Sequence, residues 1–190
     1  MIIETGIHDA IARKLNAKGK LSRNAIAEGI INNVRKTIIR DRLTDPRFYA
    51  EMSRLLDDLI EQNRASAAAY AAFLKKAEEL VKRMARKDAG AGVPASLLGK
   101  PEAIVIYHNL PDILADGTAA LHDETPLEQE TRAALALRID RAMREDAPAG
   151  WKGDETRERQ VQNALFPILS RDRRATQAIF EIIKHQPGYA

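Results

Sequence analysis

Ile26, Ile30, Val34 and Ile38 recur every fourth residue. That interval lays them in one stripe along an α-helix, with one face to bury and the rest to solvate. The stripe stops at Thr44-Asp45-Pro46. Thr44 or Asp45 can cap a new helix, and Pro46 suits its first position, where the missing N–H costs nothing. Beyond the corner, Phe48, Met52, Leu55, Leu56 and Leu59 make a second stripe. The pair predicts a helical hairpin, and the pattern continues along the chain. Ile3, Ile7, Ile11 and Leu15 mark a short first helix, and Ser22 can cap the next one. Tyr70, Phe73, Leu74, Ala77, Leu80, Val81 and Met84 mark another.

"DAGAGVPAS" reads as a loop or linker. "KPEAIVIYHNLPDIL" follows; its Ile104-Val105-Ile106 would suit a strand, but no partner strand is apparent, so a buried helix is expected. "ADGTAALHDE" is a second loop. "TPLE" at Thr125–Glu128 combines a cap, a proline and a capping-box glutamate, and starts a helix running to about Glu145. Asp154 can cap a further helix, which Pro167 should kink or end early. Ile179, Ile182 and Ile183 lie on the last. The expected fold is all-α: a single irregular bundle of about eight helices over 1–190, with a subdivision into basic helical hairpins at 1–88 and a second helical part at 98–190.

Several chemistries are missing. The chain has no cysteine, so disulfides and thiolate metal sites are excluded. None of the eleven lysines follows an acid at two residues' distance, as a magnesium nuclease of the PD-(D/E)xK kind requires. Lys20 and Lys100 follow glycines but precede Leu21 and Pro101, where a phosphate loop needs Ser or Thr. His108 and His122 flank a loop bearing Asp112, Asp116, Asp123 and Glu124, but scattered loop charges are more simply solvated than metal-bound. No catalytic residue, cofactor site or metal site is expected. No apolar run approaches the ~18 residues that span a bilayer, and the N-terminal residues lack the pattern of a signal peptide, so a cytoplasmic location is expected.

Charge is uneven. The net charge is +3, but Arg13 to Lys87 holds 18 basic against 9 acidic residues, while Pro111 to Glu155 holds 5 against 11. A basic half can attract a polyanion. Arg35, Lys36, Arg40, Arg42 and Arg47 are the candidate contacts to DNA phosphates, or else they solvate the outside of the hairpin. A helix-turn-helix regulator is the alternative, with Asn32, Asn33, Arg35 and Lys36 facing the groove. Against it, the apolar stripe keeps one phase through Gly29, whereas a helix-turn-helix changes phase at its turn. Trp151 is weighed as a partner anchor or as a staple on its own fold.

"AIAEGIINNVRKTIIRDRLTDPRFYAEMSRLLDDLI" resembles the C-terminal helical region of the R (restriction and translocation) subunit of type I restriction-modification enzymes. There a helix bearing "NNVRKTI" passes through a "DP.FY" corner into a helix ending in "LL..LI". Independently, "GWKGDETRERQVQNALFPIL" and "ATQAIFEIIKHQPGY" resemble the end of that region. The resembling stretches cover somewhat under half of the chain, in the expected order. The resemblance implies a non-catalytic assembly domain that holds R against the methyltransferase core of M and S subunits. ATP and Mg2+ belong to the motor and nuclease domains of such subunits, whose motifs have no counterpart in this sequence. The sequence is several times shorter than such a subunit, as a fragment or a truncated product would be. The expected partners are the M and S subunits, with duplex DNA as a further candidate and no membrane.

Overall fold

The computed structural model describes residues 23–63, 69–86, 93–114 and 126–189. Among these residues the chain is all-α: seven α-helices, two short 3-10 turns and no strand. The helices are α1 (Arg23–Asp41), α2 (Pro46–Asn63), α3 (Ala69–Arg86), α4 (Pro101–Leu114), α5 (Pro126–Glu145), α6 (Glu155–Ile168) and α7 (Arg173–Lys184). The expected helix at Ile3–Leu15, its neighbour's cap Ser22, the loop 115–124 and the cap Thr125 lie outside the described residues.

The chain divides into two compact units, and the division is not a single cut. The first holds residues up to Arg42 and then from Phe48 to Gly90. The second holds everything from Ala91 and also the corner Leu43–Arg47. Periodicity gave no sign of that excursion, because a corner has no stripe to read.

The first unit closes on three stripes. Ile26, Ala27, Ile30, Val34 and Ile38 of α1, Phe48, Tyr49, Met52, Leu56 and Leu59 of α2, and Phe73, Ala77, Leu80 and Met84 of α3 form one buried cluster. Phe48 and Tyr49 meet edge to face, 5.1 Å between ring centres. Burying each of the larger side chains contributes ~1.5–3 kcal/mol to holding these three helices together.

In the second unit α4 packs on α5 and α7, and α6 packs on α5 and α7. Ile104-Val105-Ile106 is helical. Ala103, Ile106, Tyr107 and Leu110, at helical spacing, are all buried, while Ile104 is only partly so. Ala133 and Ala136 of α5 are fully enclosed, and such small side chains let helices approach closely. Asp154 caps α6, accepting from the Thr156 and Arg157 amides at 3.0 and 3.1 Å. Helix α6 ends at Ile168, one residue past Pro167, whose ring has no N–H to continue the ladder. Ser170 and Arg171 then take left-handed conformations, and the Arg171 amide closes the turn on the Phe166 carbonyl. Gly150 and Gly153, both left-handed, bracket Trp151.

Candidate functional site

The corner Leu43–Arg47 is where the sequence's most distinctive motif meets distant residues. Asn109 stands on α4 among apolar neighbours and is 3% exposed. Its amide nitrogen donates to Asp45 Oδ1 and to the Val105 carbonyl, each at 2.8 Å. Its oxygen accepts from the Arg47 backbone amide at 3.0 Å. From the C-terminal side, Gln186 donates to the Thr44 carbonyl. Arg47 Nη1 meets Asp112 Oδ1 at 3.1 Å. Asp45 and Gln186 are themselves buried. A buried carboxylate is costly unless its hydrogen bonds are satisfied, so this set defines a unique seating for the corner.

Beside this polar set lies an open depression of about 380 Å³. Its floor and walls include Pro46, Ile113, Ala178 and Ile182, with Leu43, Arg47, Asp112, Glu181 and His185 around them. The lining is mostly apolar with a few polar groups, a composition common to binding concavities.

A second polar set ties down the C-terminal residues. Tyr189 Oη donates to Asp140 Oδ1 at 2.6 Å, both side chains being buried. Burial first, and then this bond, pushes the Tyr189 phenol far above its ordinary value, so it stays a donor at any physiological pH. Arg144 pairs with Asp140 and with Glu102, each at 3.0 Å. Asp140 holds the Arg144 guanidinium firmly in its charged form. Lys152 donates to the Gln186 carbonyl at 2.6 Å, and burial lowers its ammonium below the usual lysine range. A β-carbon at Gly188 would run into the Glu102 side chain and require it to shift.

The basic candidates are not one cluster. Arg35, Lys36 and Arg40 share the outer face of α1, being one, three or four positions apart from Ile39, which is 69% exposed between them. Arg42 follows on the 3-10 turn, and both Lys36 and Arg42 are exposed. Arg40 is held bidentately by its neighbour Asp41, at 2.6 and 2.7 Å. Arg35 lies 3.9 Å from Asp57. Arg47 belongs to the second unit, and its charge is met by Asp112.

Trp151 corrects one expectation. It is 0% exposed, lies 5.7 Å from the Phe180 ring, and has the Lys152 ammonium 5.5 Å from its own ring centre. An enclosed indole offers no surface to a partner, so it is no anchor. Among the described residues no group of three or more metal-ligating side chains gathers. His122, Asp116, Asp123 and Glu124 lie outside them.

Asn109, Asp140, Gln186 and Tyr189 were missed in the sequence. The one signal was Asn109 itself, a lone amide on the apolar side of "AIVIYHNL", four residues after Val105. Comparison of the chain with protein-family models, with curated proteins and with solved structures finds no match in any of the three.

Proposed function

We propose that this chain is a non-catalytic helical assembly domain of a type I restriction enzyme R subunit, docking that subunit onto its methyltransferase core of M and S subunits. One observation carries the reading. The two sequence blocks that resemble this family, some 140 residues apart, meet at one place. Thr44, of the "LTDPRFY" corner, accepts from Gln186, of "KHQPGY". Residues of both blocks also line the same depression: Leu43, Pro46 and Arg47 from the first, and Ala178, Glu181, Ile182 and His185 from the second. The resembling residues are therefore engaged in folding and in shaping a surface. Phe48 and Tyr49 are buried, and Arg47 is paired.

The deciding experiment mixes the chain with the cognate M and S subunits at physiological salt, without DNA, in size-exclusion chromatography with light scattering. A defined complex is expected. Separate elution would sink the docking reading.

A second reading, contact with DNA phosphates, draws on the exposed α1 face carrying Arg35, Lys36 and Arg40. Its signature is a steep loss of duplex affinity between low and physiological salt, removed by reversing Arg35, Lys36, Arg40 and Arg42 to Glu. Docking through an apolar face lacks that salt dependence. A helix-turn-helix regulator would further require dimers and a preferred DNA sequence.

A further inference from the structure

The depression beside the corner has chemistry that selects its occupant. Among the described residues four large apolar side chains are notably exposed: Ile39, Leu43, Leu98 and Leu114. One of them, Leu43, lines the depression. Apolar surface gathered around a preformed concavity marks an interaction site more strongly than the same residues scattered singly.

The charges refine this. Arg47 and Asp112 neutralise each other at 3.1 Å. The Asn109 amide is fully occupied by Asp45, Val105 and the Arg47 backbone. The Glu181 carboxylate accepts from the neutral Gln177 amide at 2.7 Å, its backbone carbonyl meets His185 Nδ1 at 2.8 Å, and no cation of the described residues forms an ion pair with the carboxylate. Arg174 donates to the Ile113 carbonyl at 3.1 Å, so the site has a mostly apolar lining with the Glu181 carboxylate at its edge, outside any ion pair of the described residues. A protein surface carrying a cation beside an apolar residue would be complementary to this edge.

We infer that this depression receives one bulky apolar side chain from a helix of the partner protein, with a lysine or arginine one turn away meeting Glu181. The inference rests on the docking reading above and names its anchor point. About 380 Å³ accommodates a leucine, methionine or phenylalanine side chain. Insertion would cover Leu43, removing apolar surface from water.

The test is calorimetric titration of the full chain with the M–S core at physiological salt. Ala178→Trp fills the depression and should weaken binding about tenfold or more, the range of a buried anchor. Glu181→Lys should weaken it about threefold to tenfold, with Glu181→Gln in between. Leu98→Asp, outside the depression, should bind as wild type. Circular dichroism and melting temperature verify folding; if Ala178→Trp does not fold, Glu181→Lys and Leu43→Asp decide. Variants that fold and bind as wild type overturn this inference while leaving the docking reading intact. A wild-type chain that fails to bind the core overturns both. A wild-type dimer, seen by light scattering of the chain alone and abolished by Ala178→Trp, assigns the depression to a second copy and overturns the inference.

Discussion

The two units are built on different principles. In the first, every buried side chain of the described residues belongs to the hydrophobic set: aliphatic stripes from three helices and the three aromatic rings of Phe48, Tyr49 and Phe73. The second holds all the buried polar or charged side chains of the described residues, namely Asp45, Asn109, Asp140, Thr176 and Gln186. An apolar core accepts any filling of about the right volume, and loses uniqueness before stability when it is altered. A satisfied polar network is less tolerant, because removing one partner strands another in a medium where it cannot find water. The residues beside the depression are held by that second kind of interior.

Substitutions in the two units test this contrast. The largest effect should come from Trp151→Ala, which empties the largest fully buried site of the second unit and should cost ~3–5 kcal/mol in denaturant unfolding. A smaller loss than Ile30→Val, expected at ~0.5–1.5 kcal/mol in the first unit, would show that the indole is not structural.

Next comes Tyr189→Phe. It leaves the ring's packing but removes the donor to Asp140, and should cost ~1–3 kcal/mol, as should Asn109→Ala, which removes the acceptor of the Arg47 amide and one donor to Asp45. Leu56→Met, a swap of similar volume in the first unit, should cost less than ~1.5 kcal/mol. If Tyr189→Phe proves neutral, the polar network is not what distinguishes the second unit.

Glu158 offers a pH test. Lys184, at 2.7 Å, holds its carboxyl below the ordinary glutamate value, aided by the Gly153 amide. A lowered folded-state value means that its contribution is fully present above the unfolded-state value near 4.5 and is lost as pH falls through the folded-state value. Glu158→Gln should therefore flatten the acid side of the stability profile and leave the curve above pH 7 parallel to wild type. The smallest effect belongs to Lys36→Glu on the outer face of α1. Stability should stay within ~0.5 kcal/mol of wild type, and any duplex-DNA affinity should fall at low salt.

These differences explain how much could be read in advance. The helices announce themselves, because a repeating apolar stripe is a local signal and burying it is the dominant energy. The Ile26–Ile38 stripe, the Pro46 start, the helical reading of "AIVIYHNL" and the Asp154 cap all rest on neighbours within a turn or two. The candidate site was less legible. Arg47 looked like its basic neighbours in sequence, yet it differs from them by an acid 65 residues away. Trp151 gave two readings of equal form, and only its enclosure beside Phe180 chose between them.

What the sequence alone determined is the fold class and the helical elements, through periodicity, caps and the placing of prolines. Tertiary structure decided that the Thr-Asp-Pro corner leaves the hairpin's own unit to join Asn109 and Gln186, and that a depression forms beside it. The physical reason is range. A stripe repeats every turn and is written locally, whereas a polar partner across 62 or 142 residues leaves no periodic mark. Such a pairing exists only once the chain has closed and burial has made each unmet hydrogen bond costly.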